Sequence, residues 1–399
     1  MLRRRFLPTL HARRRRLNYS VGWNAELEGR APSSVDKGGN MRLRLSGVVA
    51  LCVGLCAFIS SSTAFVGPAT ASGGAKFSSP LKIVGFFDNK GEDPIADGAD
   101  QILVNIAIDQ LNAHGGVGGF PVQFTRVQST QVPSTGQPAF LQALSLKPSA
   151  IIGIDGTSLL VPLEPTLATS GVPVLSMVTD LSSQAALKTP NDLFTFRSAP
   201  EKGAAATAQE LIKKFHAKSV GLICVTAPFG QANCNADQVV LNKLHVHLVA
   251  RVSSGQTSTD ETTQAQAMRG ADLVLDEGFP GPIILDIKDM AAAGINVPVS
   301  AGASVTFSTT GLTTDELSRL YGFADCLPQD FTKPPGSTIE SEFLAKFGSP
   351  MSGYTAHYYD AVMMVVKAAQ MAGSSDPVKI AKKLRQLTYT GLCQAPLHA

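Results

Sequence analysis

The chain has 399 residues, 44% hydrophobic and 16% charged, with 34 Lys+Arg against 31 Asp+Glu. That length exceeds one ordinary core and the composition is not that of a disordered chain, so two globular lobes are expected. Residues 1–71 hold 11 basic and three acidic residues; the remaining 23 basic and 28 acidic residues give no reason to expect nucleic-acid binding.

Residues 1–40 fit neither a signal nor a domain. Arg3-Arg4-Arg5-Phe6-Leu7 resembles a twin-arginine export motif, but its apolar segment lies far downstream, and four arginines at 13–16 stand alone. A mis-assigned or disordered extension is expected, with Met41 the true start. Residues 41–71 read as a secretion signal. Met41, Arg42 and Arg44 make a basic start, 45–59 is apolar, and Ser62-Thr63-Ala64 and Ala69-Thr70-Ala71 are small-residue cleavage sites. The run is short for a membrane span and ends at Ser60-Ser61-Ser62, so a retained anchor is the alternative. Cys52 and Cys56 follow leucines, which argues against lipidation. Export to the periplasm or cell surface is expected.

Next come strand 81–86 and helix 98–113, with Leu103, Ala107 and Leu111 four apart, ending at Gly115-Gly116. Strand 122–127, helix 136–146, strand 150–154, helix 158–169 and strand 172–175 follow. A second series runs helix 202–216, strand 219–225, helix 230–243, strand 246–252, helix 260–268, strand 272–275, helix 281–293 and strand 297–300. Helices 337–347, 354–372 and 376–387 come last, without a clear strand. Regular alternation of apolar strands and helices predicts α/β architecture, with Rossmann-like parallel sheets covered on both faces. Right-handed crossovers then gather the loops after the strands on one edge of each sheet, where ligands of open α/β sheets bind.

Four cysteines remain beyond the signal: Cys224, Cys234, Cys326 and Cys393. They allow three pairings, and a strand end beside a first helical turn favours Cys224 with Cys234. Their spacing is not that of a zinc knuckle, and His245-Val246-His247 lies on a strand with no third ligand, so no metal is expected. Gly156-Thr157-Ser158 lacks a nucleophile elbow, and the glycines at 115–119 follow a helix, so neither catalysis nor a dinucleotide cofactor is expected.

Four pieces in order carry a resemblance. They are Leu111-Asn112-Ala113-His114-Gly115-Gly116-Val117-Gly118-Gly119; Ala150-Ile151-Ile152-Gly153 with Thr157-Ser158 and Gly171-Val172-Pro173-Val174-Leu175-Ser176; Phe194-Thr195-Phe196-Arg197; and Tyr358-Tyr359-Asp360-Ala361 with Ala372-Gly373-Ser374-Ser375-Asp376-Pro377. Over about 80–391 the chain resembles the type I periplasmic binding proteins of the branched-chain amino acid and amide class. The resemblance implies two lobes joined by a three-crossover hinge. Lobe 1 would hold 80–197 and 328–389, and lobe 2 would hold 198–327 and 390–399. It implies crossings near Arg197, Leu327-Pro328 and Thr390-Gly391, with Cys326 and Cys393 paired beside them. The chain ends early relative to the family.

The resemblance places ligand groups at Thr157 and Thr179, where hydroxyls hold a carboxylate, and aromatic walls at Phe229, Phe279 and Tyr354. Capping for the threonines, core packing for the two phenylalanines and helix packing for the tyrosine are the alternatives. Asp360 is expected to be structural. The family's ammonium-pairing acid aligns with Ala303, so Asp276 or Glu277 would have to replace it. The first loop, residues 88–93, lacks the usual Ser/Thr-Gly pattern, and an aromatic beyond it becomes Ala96. A carboxylate or amide ligand with an apolar or aromatic body is implied, passed by a monomer to the membrane permease of an ABC transporter. A sensory module of the same fold is the alternative.

Overall fold

A computed structural model describes residues 77–398 apart from 88–93, 131, 155, 305–308, 310, 327 and 394–395. The extension 1–40, the signal segment 41–71 and the first loop 88–93 lie outside the described residues, as does the side chain of Ala96. Among the described residues no helix is long and apolar enough to cross a membrane.

The first sheet contains β1 (Lys82–Phe87), β2 (Gln123–Gln128), β3 (Ala150–Gly153), β4 (Val174–Leu175) and β5 (Leu193–Phe194). All pairs are parallel, in the order β2-β1-β3-β4-β5. Helices α1 (Pro94–Ala113), α2 (Pro133–Ser145), α3 (Thr157–Leu160), α4 (Glu164–Ser170) and α5 (Leu181–Ala186) fill the crossovers. Helix α6 (Pro200–Phe215) opens the second lobe. There β6 (Ser219–Val225), β7 (His247–Ser254), β8 (Leu273–Glu277), β9 (Val299–Ser300) and β10 (Leu320–Tyr321) alternate with α7 (Pro228–Leu244), α8 (Thr262–Ala267), α9 (Pro280–Ala292) and α10 (Thr314–Ser318). Its order, β7-β6-β8-β9-β10, repeats that of the first sheet, again all parallel. Helices α11 (Gly336–Phe347), α12 (Gly353–Ala372) and α13 (Pro377–Leu384) then pack on the first lobe. A short antiparallel ribbon of β11 (Thr388–Thr390) and β12 (Pro396–His398) ends the described chain.

Alternation decides which face each side chain serves. On β1, Ile83 and Phe87 join α1 and α12 in one core, while Val84 and Phe86 join α2 and α4 in another. In the second lobe Leu222 and Cys224 face α6 and α7, whereas Ile223 and Val274 face α8 and α9. Strands buried on both faces have to be apolar, which explains AIIG in β3 and the start of LVLDE in β8.

The structure corrects several expectations. Helix 158–169 is broken into α3, a 3-10 turn at Val161–Leu163 and α4, because Pro162 and Pro165 lack the amide hydrogens a continuous helix needs. β7 begins at His247 rather than 246, since His245 closes α7 in a left-handed conformation at φ 54°. The segment after 390, expected in lobe 2, turns back instead. Leu392 is buried in the lobe-1 core, its amide donates to both Asp360 oxygens (3.0 and 3.1 Å), and β12 pairs with β11.

Where the chain passes between lobes, Arg197 donates to Asp325 at 2.7 Å, with only 6% and 9% of the two side chains exposed. The same guanidinium lies 4.4 Å over the Tyr354 ring and donates to the Met177 carbonyl at 3.3 Å. Beside it Cys326 is bonded to Cys393, their Cα atoms 5.4 Å apart. Elsewhere, in lobe 2, Cys224 at the end of β6 is bonded to Cys234 in α7. Asp325→Asn should destabilise the protein by about 3–5 kcal/mol by leaving Arg197 charged and unpaired, read as a lowered thermal midpoint. Removing both charges in Arg197→Met/Asp325→Leu should restore most of the loss, and a double variant as weak as the single one would refute this account.

Candidate functional site

In lobe 1, β3 and β4 deliver their loops to the same edge. Thr157 is the first residue of α3, buried, with Gly156 in the N-cap position. Thr179, also buried, donates from Oγ1 to the Ser198 carbonyl at 3.1 Å. The cap of α5 is Asp180, whose carboxylate accepts from the Ser183 amide at 2.8 Å. Neither threonine is therefore an N-cap, and the capping alternative is not realised at either position.

In lobe 2, β6 and β8 end at the equivalent edge. Helices α7 and α9 both begin with proline, and their N-cap residues, Ala227 and Phe279, make no side-chain cap. Phe229 and Phe279, each half-buried, bring their ring centroids to 5.6 Å with planes 30° apart. Between them α7 comes close to β8 at Gly230, where a Cβ would sit 2.6 Å from the Glu277 carbonyl oxygen and collide with Val225. Only glycine permits that approach.

Glu277, the last residue of β8, is 2% exposed, and its Oε2 accepts from Asn233 Nδ2 at 2.9 Å. Asn233 lies one helical turn beyond Phe229, on the same face of α7. The carboxylate lies under the loop after β9: a Cβ on Gly302, which has φ 51°, would be 2.7 Å from Oε2. Gly302 directly precedes Ala303, so Glu277 reaches beneath the position where the resemblance expects an acid. Burial pushes the Glu277 carboxyl up to about 7, against the opposing effect of the Asn233 hydrogen bond. Asp237 on α7, also fully buried, is raised by burial and then by Glu277.

Tyr354 occupies the first turn of α12, where a capping box between Ser352 and Thr355 fixes the helix start. It is half-buried, packs on the lobe-1 core, and lies under Arg197. Phe229, Phe279 and Glu277 thus form one group in lobe 2. Thr157 and Thr179 stand at the starts of α3 and beside α5, and both of those helices meet α7. Tyr354 is linked to them through Arg197, which also donates to the Met177 carbonyl two residues before Thr179.

Sequence reasoning passed over Asn233, Gly230, Gly302 and the Arg197–Asp325 pair as functional neighbours. The spacing of Phe229 and Asn233, four apart on one predicted helix, was the available signal for the first. Asp325 lies 128 residues from Arg197 and no local pattern links them. An open depression of about 500 Å³ lies at the other end of the second sheet, lined by Phe215, His216, Lys218, Asp272, Asn296 and Pro298. It shares no residue with the group at the strand ends. His245 and His247 are exposed, and among the described residues no group of three or more His, Cys, Asp or Glu is placed to hold a metal.

A family model described as periplasmic binding protein matches residues 81–397. The chain is 23% identical over 287 residues to the Leu/Ile/Val-binding protein homolog 1 of Brucella suis, covering 70% of this chain and 75% of that protein. Among solved structures it resembles the branched-chain amino acid transporter substrate-binding protein LivJ of Streptococcus pneumoniae, solved with isoleucine. The TM-score is 0.67 at 17% identity, covering 79% of this chain and 91% of that one. A solute-binding protein of an R. palustris ABC transporter, solved with benzoate, aligns with a TM-score of 0.68 at 15% identity, covering 80% and 88%. With the repeated parallel-sheet topology and a family match over most of its length, the chain belongs to the type I periplasmic binding proteins, in the branched-chain amino acid family of solute-binding proteins.

Proposed function

We propose that the protein captures a small carboxylate or amide with an apolar or aromatic body between its two lobes and hands it, as an exported monomer, to the permease of an ABC importer. The observation that carries this reading is the pair Phe229–Phe279 set above Glu277, on a lobe whose α7 meets the helices beginning at Thr157 and just beyond Thr179. Two rings 5.6 Å apart make an apolar wall suited to a flat or branched body. The hydroxyls of Thr157 and Thr179 supply donors to a carboxylate, with Tyr354 closing the hinge side. Closure excludes water and strengthens those polar contacts. No step of this process needs a bond to break, and the family consists of binding proteins.

Glu277 decides which end of a ligand lobe 2 receives. As a neutral acid it donates a hydrogen bond to a carboxylate or amide oxygen; ionised, it attracts an ammonium. Its pKa of about 7 sits between these roles. The R. palustris neighbour solved with benzoate and the Streptococcus neighbour solved with isoleucine represent the two ligand types. The aromatic pair and the absence of an acid at Ala303 support the first.

A thermal-shift panel of benzoate, isoleucine and their amides should stabilise the folded protein with a few members, by about 2.7 kcal/mol at a hundredfold excess over Kd. A flat response from folded protein would count against capture. Phe229→Ala should weaken the best ligand by roughly 1–3 kcal/mol in calorimetry, and unchanged affinity would remove the ring from the site. Glu277→Gln should leave benzoate affinity at pH 8 unchanged or tighter, because one negative charge near the ligand is lost. A tenfold or greater weakening would show that the carboxylate itself is required.

A further inference from the structure

On the opposite face of the second sheet lies a second set of acids that ligand capture does not use. Asp276 precedes Glu277 on β8 and therefore points to the other face, toward α8 and α9. There it meets Asp286 on α9 and Glu261 at the N-cap of α8, and none of the three has any exposed surface. Ser254, at the end of β7, donates to Glu261 Oε1 at 2.6 Å. Among the described residues no donor reaches Glu261 Oε2 or any of the four oxygens of Asp276 and Asp286.

The groups around this cluster do not neutralise it. Asp289, one turn along α9, accepts from the Glu261 amide at 3.3 Å and adds negative charge, as does Glu277 on β8. The bases of the surrounding elements are engaged elsewhere. Lys288 is exposed and reaches Gly311, while Arg251 on β7 donates to Gln231 and acts on Asp237. A buried carboxylate without a counter-charge costs several kcal/mol. Asp276 and Asp286 face each other without a counter-charge, and burial favours their neutral forms. One proton between Asp276 and Asp286 also makes the hydrogen bond that their unpartnered oxygens lack.

This cluster underlies the turn that carries Phe279. The Cβ absent from Gly278 would sit 3.0 Å from Asp276 Oδ1, and Ser304 in the loop after β9 donates to the Gly278 carbonyl at 2.7 Å. We propose that Asp276 and Asp286, walled in by Glu261, form a proton-loaded latch: they hold the ligand-side edge of lobe 2 closed while protonated, and opening of that edge releases their protons. Lobe 2 then loosens as pH rises while lobe 1 does not. The inference is independent of which ligand, if any, the cleft takes.

The sign follows from linkage. Burial first, then Asp276 and Glu261, push the Asp286 carboxyl up to about 11 from an ordinary 3.8, and burial likewise raises Asp276. A group raised in the fold stabilises it fully below the unfolded value, and that stability is lost as pH climbs, here from about 4 towards about 11. Each proton released on opening makes opening about tenfold more favourable per pH unit.

Native-state hydrogen exchange on the full chain at pH 5.5 and 7.5, corrected for intrinsic rates, tests this. Amides of residues 273–292 should lose at least about tenfold more protection than those of β1 and β3. Asp286→Asn, of the same shape but unable to ionise, should cut that excess by half or more on a logarithmic scale, and Asp276→Asn should do the same. An excess that persists undiminished in both variants overturns the proposal. Equal loss of protection in the two lobes of the wild type also overturns it, and does so even if neither variant folds.

Discussion

A guanidinium buried where a chain crosses between two lobes has to be satisfied at that crossing, and Arg197 is. Its charge meets Asp325 from the second crossing, its planar face covers Tyr354 from α12, and another nitrogen reaches Met177 on the approach to Thr179. Four separate stretches of sequence are thereby held at one point. Desolvating that ion pair is costly, so its value lies less in net stability than in fixing how these stretches meet. The Cys326–Cys393 bond and the Asp360–Leu392 contact hold the segment after β11 against the same helix, α12.

Parallel sheets do the rest. Because each crossover is a helix, strand ends of both lobes come to one edge, and each is followed by a helix start with unsatisfied amides. In lobe 2 the starts of α7 and α9 lack side-chain caps, since Ala227 and Phe279 carry no side-chain acceptor. The edge is consequently rich in donors and poor in acceptors, with Glu277 as the exception. An anionic ligand end is favoured there by the amides, and Glu277 agrees with that preference only in its neutral form.

The repeating architecture was legible because long apolar strands and amphipathic helices leave strong periodic signals. Two-residue strands such as β4, β5, β9 and β10 leave almost none, and β5, β10, α5 and α10 were not read at all. Prolines 162 and 165 were the available signal for the break in the helix after β3. Of the candidate site, Phe229 and Phe279 came from the resemblance, with Pro and Gly neighbours after strands marking them as loop residues, and the structure sets their ring centroids 5.6 Å apart. What joins them is not local: Gly230 matters because of the Glu277 backbone, and Gly302 because of the Glu277 side chain. Arg197 stood inside a quoted motif without a role, since its partner lies in a segment of no regular pattern.

β8 concentrates these themes in two adjacent residues. A strand buried on both faces normally ends in apolar residues, yet here Asp276 and Glu277 send one carboxyl to each face. On the α7 side Asn233 answers Glu277 with a hydrogen bond, and the group sits beneath the loop after β9. On the α9 side, among the described residues, no donor answers Asp276, and another acid meets it. Two buried acids sharing one backbone position are coupled: ionising either raises the cost of ionising its neighbour. Whatever charge Glu277 takes up at the ligand edge is therefore felt by Asp276, and through it by Asp286 and Glu261, four elements of lobe 2 linked by a single pair of side chains.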